Sequence, residues 1–262
     1  MKEFLAAAEE AAEAAGSLIR QNWLKAKEIH YKSSINLVTE VDRQAEERIV
    51  QILQKHFPDH SILAEEQTTI AGSQSEYRWI VDPLDGTTNF AHSYPHFSVS
   101  IALERGGEVI LSLVYDPLRE ERFRAIRGQG ASLNGEAIQT SKVAELDKAL
   151  LATGFPYDRR ERADLYLAFF KAFMVRCQGT RRNGSAALDL CYLACGRVDG
   201  FWEFKLHPWD TAAGSLIVQE AGGMLSDFSG NPFSISGEET LASNGLIHKE
   251  MVSVVKEVKR QP

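Results

Sequence analysis

Apolar residues recur at helical spacing at the start of the chain. Phe4, Leu5, Ala8, Ala12, Ala15, Leu18 and Ile19 lie near one face, with Glu9, Glu10 and Glu13 opposite, which predicts an amphipathic helix from Met1 to about Lys27. A second helix is predicted from Thr39 to Phe57, with Val41, Ala45, Ile49, Ile52 and Leu53 inward and Asp42 in its first turn. The period then changes. Ser61 to Ala64 and Arg78 to Val81 are short β-favouring runs. Phe97 to Glu104, Glu108 to Tyr115 and Arg122 to Arg127 read as successive antiparallel strands, separated by Arg105-Gly106-Gly107 and Asp116-Pro117 turns. Helical spacing returns over Arg162 to Met174 and Ser185 to Cys195. A strand from Val198 to Phe204, a helical stretch from Thr211 to Ala221 and a terminal helix after Asn244 follow. The order predicts an α+β protein. No repeat or low-complexity linker divides it, so residues 1–262 read as a single unit with approximate halves 1–147 and 148–262.

Candidate chemistry concentrates where predicted strands end. Arg78-Trp79-Ile80-Val81 runs into Asp82-Pro83-Leu84-Asp85-Gly86-Thr87-Thr88, and a buried strand there presents Asp82 at the edge of a sheet where ligands tend to sit. Pro83 fixes one backbone angle, so the Leu84 carbonyl and the Asp85 carboxylate can be aimed at the same point as Asp82 with little freedom left to lose. Oxygen-only ligands suit Mg²⁺ or Mn²⁺. Gly86 admits a phosphate close to the backbone, and Thr87 and Thr88 offer hydroxyls and N–H groups at a turn or helix start. A plain Pro-x-Asp-Gly turn is the competing reading of this segment alone. An EF-hand loop is excluded, because its third, fifth and twelfth positions would be Leu84, Gly86 and Ser93.

Two further acidic segments favour a site. Ser61 to Ala64 ends in Glu65-Glu66, and His207-Pro208-Trp209-Asp210 opens the helical stretch that closes on Gly222-Gly223, matching helix start and stop signals. Asp210 then stands where the helix macrodipole favours a negative charge by about 0.3–1 kcal/mol, which suits a helix cap as well as a site. Acids placed this way read as delivering a metal to a phosphate. A monoester dianion repels an anionic nucleophile, and cations about 3.5–4 Å apart can neutralise it and hold the attacking and departing oxygens.

The segment Asp82-Pro83-Leu84-Asp85-Gly86-Thr87, and Trp209-Asp210 followed after eleven residues by Gly222-Gly223, resemble the two signatures of the inositol monophosphatase family. These are Mg²⁺-dependent, lithium-sensitive phosphatases, with relatives acting on fructose 1,6-bisphosphate and other sugar or nucleotide phosphates. The resemblance covers essentially the whole chain. It implies a layered α-β-α-β-α sandwich with an antiparallel-rich first sheet and a smaller mixed second one. It also implies that Glu65, Asp82 and the Leu84 carbonyl bind one Mg²⁺, and that Asp82, Asp85 and Asp210 bind a second. A weaker third ion would lie near Glu65, and Mn²⁺ can substitute. Glu65, Thr87 and Asp42 would position and deprotonate the attacking water.

On the same resemblance the substrate would meet Asp85, Gly86, Thr87 and Asp210, and its ring would meet Gly184-Ser185-Ala186 and Glu203. Arg181, in the pair Arg181-Arg182, is a candidate phosphate contact by guanidinium chemistry, against the reading of a solvated pair. Gly154-Phe155-Pro156 with Arg159-Arg160 reads as a loop at the pocket mouth. The expected activity is hydrolysis of inositol monophosphate. Its rivals are fructose 1,6-bisphosphate, histidinol phosphate or a nucleotide phosphate as substrate and, in another class, a regulatory protein contacting RNA or the transcription machinery. A homodimer is implied by the resemblance alone.

Composition narrows these classes. The chain has 262 residues, 44% apolar and 25% charged, enough for a sizeable core. A net charge of −7 argues against broad nucleic-acid binding, which needs a basic footprint. Cys177, Cys191 and Cys195 make an odd count with no disulfide framework, so reduced, packed thiols in a cytoplasm are expected. His92 and His96 stand four apart with Pro95 between them, which spoils a helical metal pair and reads as loop or surface groups. Early acids rule out a signal peptide, and no apolar run approaches the ~18 residues of a membrane span.

Overall fold

The strand Tyr77–Asp85 buries both of its faces, with Trp79 and Val81 entering one apolar cluster and Ile80 another, as alternation along a strand requires. The computed structural model describes residues 1–25, 29–31, 37–66, 69–72 and 75–260. Among them, eight strands form a sheet in the order Glu136–Ala137, Ala131–Leu133, Glu121–Ile126, Glu108–Asp116, Ser98–Arg105, Tyr77–Asp85, Ser61–Ala64, Thr69–Ile70. Every pairing is antiparallel except Ser61–Ala64 with Tyr77–Asp85. A five-stranded sheet follows the order Gly179–Arg181, Leu150–Thr153, Gly200–Phe204, Glu239–Ser243, Met224–Ser226. Its first two pairings are parallel and its last two antiparallel. Ile29–Tyr31 and Leu37–Thr39 form a separate two-stranded ribbon.

The helices alternate with these sheets. Helices α1 (Lys2–Asn22) and α2 (Glu40–His56) cover one face of the large sheet, where Ala8, Ala15, Ile49 and Leu53 pack with Trp79, Val81, Ile101 and Leu113. A short helix, α3 (Thr87–Ala91), follows the central strand. Helices α5 (Ala186–Ala194) and α6 (Pro208–Glu220) fill the space between the sheets, in one cluster with Ile80, Ala102 and Val114 of the first and Ala152, Phe201 and Ala242 of the second. Helices α4 (Ala163–Met174) and α7 (His248–Lys259) close the far side against Leu151, Trp202 and Leu241. The result is the expected α-β-α-β-α sandwich.

Several boundaries differ from the sequence pattern. Helix α1 ends at Asn22, and Lys27 lies outside the described residues. The central strand continues through Asp85 instead of stopping at Val81, because its antiparallel neighbour keeps pairing across a bulge. Helix α6 begins at Pro208, so Asp210 is its third residue. Among the described residues, nine strands of two to five residues were not predicted, among them Leu150–Thr153 and Glu239–Ser243; runs that short carry almost no periodicity. Cys191 is buried as expected, and all three thiols are free. His92 is exposed, and His96 lies in a loop as expected, where it is buried. No helix among the described residues is long and apolar enough to cross a membrane.

Candidate active site

Ala64 lies opposite Val81 in the parallel pairing of the large sheet, so the next residues, Glu65 and Asp82, stand side by side where that pairing ends. The Glu65 N–H donates to the Val81 carbonyl at 3.2 Å. Asp82 pairs with Ser100 and Asp85 with Ser98, with a shift of register between them. Pro83 has no N–H to give the ladder, and a bulge is the usual accommodation. The Leu84 N–H turns back to Asp82 Oδ1 at 2.9 Å. Ser100 also donates its hydroxyl to the Trp209 carbonyl at 3.3 Å, tying the start of α6 to the strand beside Asp82. Asp210 Oδ2 accepts the His207 N–H at 2.6 Å. By these routes one carboxylate oxygen each from Asp82, Asp85 and Asp210 comes within 4.8 Å of the others. Glu65 and Leu84 line the same cavity of about 850 Å³.

The remaining expected groups surround that trio. Asp85 Oδ2 accepts the Ser185 hydroxyl at 2.6 Å and the Ala187 N–H at 2.8 Å, at the start of α5. Gly86 has φ +99°, and a Cβ there would come 3.0 Å from the His96 carbonyl, so only glycine fits without strain. Thr87 Oγ1 lies 2.8 Å from Asp42 Oδ1 and 3.1 Å from the Leu84 carbonyl. Asp42 Oδ2 accepts the Thr39 N–H at 2.9 Å and also the Thr39 hydroxyl. Asp42 is buried and does not itself line the cavity; Thr87 does.

Gly184, Ser185, Ala186 and Glu203 line the same cavity. Gly154 lies against Glu203, and a Cβ on it would come within 2.0–2.2 Å of the Glu203 carboxylate. Of the expected mouth loop, Phe155, Pro156, Tyr157 and Arg159 line the cavity and Arg160 does not, and Asp158 is held by Lys205 Nζ and by the Tyr166 hydroxyl, each at 2.6 Å. Arg181 is exposed, its guanidinium donates to the Thr180 carbonyl at 3.2 Å, and it does not line the cavity; Arg182 does. Successive residues at a strand end point to opposite sides, so only one arginine of the pair can face inward. Sequence reasoning also missed Asp189, which lines the cavity. Its signal was a lone acid inside the apolar run Ala186-Ala187-Leu188-Asp189-Leu190-Cys191.

The sequence pattern of the inositol monophosphatase family matches residues 1–260. The chain belongs to this family. It is 47% identical over 252 residues to the inositol-1-monophosphatase of Synechocystis sp., covering 96% of this chain and 88% of that one. It is 44% identical over 255 residues to the Nus factor SuhB of Escherichia coli, covering 97% and 96%. Among solved structures, the extragenic suppressor protein suhB from Bartonella henselae superposes with a TM-score of 0.93 at 38% identity, over 97% of this chain and 98% of that one. The inositol monophosphatase from Anabaena (Nostoc) sp. gives 0.88 at 42%, over 98% and 96%.

In this inositol monophosphatase family member the acids are not comfortable as a bare cluster. Burial lifts Asp82 well above the ordinary carboxylate range, and the charges of Glu65, Asp85 and Asp210 lift it further. Asp210 is raised by burial, then by Glu65 and Asp85, against the His207 N–H. Burial pushes Asp85 up to about 6 despite its bonds to Ser185 and Ala187. Asp42 is likewise raised to about 6 by burial, with the hydroxyls of Thr39 and Thr87 opposing. Like charges this close are stable together only when protonated or neutralised by a cation. The donors are all hard oxygens with no thiol or imidazole among them, which fits Mg²⁺ or Mn²⁺. The group is therefore able to hold a metal ion, as a phosphatase of this family requires.

Proposed function

We propose that the chain hydrolyses inositol monophosphate to inositol and phosphate, with water as nucleophile and Mg²⁺ as the resident cation. The observation that carries the substrate reading is Glu203. Its carboxyl is pushed up to about 8 by burial and has no hydrogen-bond partner among the described residues, yet it lines the same cavity as the acidic trio. A hydroxyl-bearing ring supplies the missing bonds, whereas a second phosphate dianion there would face Glu203 and Asp189 together.

Glu65, Asp82, Asp85, Asp210 and the Leu84 carbonyl would hold the cations. When bound, two such ions neutralise the phosphate and ease deprotonation of water. The chain's own groups do the rest. Thr87, with its proton committed to Asp42, has lone pairs free to accept from the attacking water and orient it. Glu65 stands at the same edge to take up the proton. A new bond forms from water oxygen to phosphorus, the phosphorus–ester oxygen bond breaks, and the departing alcohol takes a proton. Gly86 leaves room for the phosphate beside the backbone.

A panel of phosphate monoesters assayed for phosphate release with Mg²⁺ tests this reading. Inositol monophosphate should give the highest kcat/KM, EDTA should abolish turnover, and Asp82→Asn should lower it by orders of magnitude. A clear preference for fructose 1,6-bisphosphate, histidinol phosphate or a nucleotide would reassign the substrate; Arg182 and Arg159 at the cavity are the feature that favours such an ester. A second reading, a regulatory role in transcription, draws on the similarity to the Nus factor SuhB relatives. A cellular phenotype rescued by Asp82→Asn would favour it. A cytoplasmic location, in keeping with three free thiols, and a homodimer complete the proposal, the latter checked by sedimentation.

A further inference from the structure

Asp189 sits in the first turns of α5, where Ala187, Leu188, Leu190 and Cys191 are all buried. It is 1% exposed and still lines the cavity. Burying a carboxyl costs free energy unless its oxygens are bonded, and this one is only half satisfied. Oδ1 accepts the Asn183 side-chain amide at 2.7 Å; Oδ2 has no hydrogen-bond partner among the described residues. His96 Nε2 lies 4.0 Å from Oδ1, too far to bond, and is itself buried without a partner. The Glu203 carboxyl, on the same cavity, is equally unpartnered. Unmet buried polar groups cost free energy, so two open carboxyls lining one cavity point to a ligand that completes them.

From this juxtaposition we infer that Asp189 is a specificity-determining residue, whose open carboxyl oxygen takes a ring hydroxyl of a polyol phosphate next to the one bound by Glu203. The inference deepens the proposed function and rests on it. The chemistry suits a neutral polyol. Burial lifts both carboxyls to about 8, with Arg182 opposing the shift in each, so at neutral pH each can donate one hydrogen bond and accept another. Adjacent hydroxyls on one ring are the matching partner.

A purely architectural role would instead have Asp189 anchor Asn183 and thereby hold the turn before Gly184. Asp189→Asn separates the two, because the amide oxygen still accepts from Asn183. On the polyol phosphate that the wild type prefers, the variant should raise KM about tenfold or more with kcat within about threefold. On p-nitrophenyl phosphate, which has no ring hydroxyls, both constants should stay put. A deoxy series of that polyol phosphate with the wild type supplies an independent arm: one deoxy position should lose about tenfold in kcat/KM, and that analogue should be indifferent to Asp189→Asn. Equal losses on polyol and p-nitrophenyl esters, an unchanged KM on the polyol, or Asn183→Ala reproducing the whole profile would overturn the inference. Should the panel prefer a polyol other than inositol, the substrate reading fails while this test runs unchanged on the preferred ester. A wild type that prefers no polyol over p-nitrophenyl phosphate overturns both.

Discussion

Thr87 Oγ1 stands 2.8 Å from Asp42 Oδ1, closer than its 3.1 Å approach to the Leu84 carbonyl. One hydroxyl proton serves one acceptor at a time, and the buried carboxylate is the stronger. Asp42 thus fixes the rotor of a residue that faces the cavity although it does not reach the cavity itself. Thr87→Val keeps the shape and removes the hydroxyl; Asp42→Asn keeps the shape and removes the charge. Each should lower kcat about 10²–10⁴-fold, the range of positioned proton-transfer groups, with KM changed only a few-fold. The double variant should be little worse than either single one, because the two act as a unit. Steady-state kinetics of the three proteins check it.

Ser185 is both the cap of α5 and the hydroxyl on Asp85, at 2.6 Å. Ser185→Ala removes a bond that holds the Asp85 carboxylate in its charged form, so the apparent Mg²⁺ affinity should fall about 10–100-fold, the usual effect of losing a partner of a metal ligand. Folding should be weakened by about 1–2 kcal/mol through the lost cap. Mg²⁺ titration of activity, with urea unfolding in EDTA, separates the two losses.

Gly154 has no unusual backbone angle, so its side-chain hydrogen is needed only for room. Gly154→Ala would bring a methyl within 2.0–2.2 Å of the Glu203 carboxylate. The carboxylate must move, and ring recognition should suffer. We expect KM for the preferred polyol ester to rise about tenfold, roughly 1.4 kcal/mol, with kcat on p-nitrophenyl phosphate unchanged.

Glu203 also makes a prediction about pH. Its carboxyl is raised by burial to about 8, against roughly 4.3 in an unfolded chain. Between those values the folded protein holds a proton that the unfolded one has released. Stability from this group is therefore complete below about 4 and is lost as pH rises through about 8, at up to about 1.4 kcal/mol per pH unit. Glu203→Gln should remove that slope. Urea unfolding in EDTA from pH 5 to 8 should show the variant declining less steeply than the wild type; parallel lines would disprove it.

Some of this was legible from residue order and some could not be. Asp82, Asp85 and Asp210 announced themselves because an apolar run leads into the first two and a proline start signal precedes the third. The long helices and hairpin strands were equally plain, since helices of nine or more residues and strands of six to nine let a period declare itself. The extension of the central strand through Asp85 was hidden by Pro83, which reads as a terminator and acts here as a bulge. Arg182 replaced Arg181 at the cavity because a shift of one residue along a strand exchanges its faces, and no pattern in a three-residue strand fixes that phase. Asp189 was passed over because an apolar helix with one acid reads as core until the cavity beside it is seen.

The bonds from Ser185 and Ala187 to Asp85 join positions a hundred places apart in the chain, and Asp210 comes later still. A nascent polypeptide leaving the ribosome therefore carries Asp82 and Asp85 well before the groups that clamp and complete them exist. Hydrolytic competence should therefore arrive late in synthesis, and a truncated product ending before α6 should lack it.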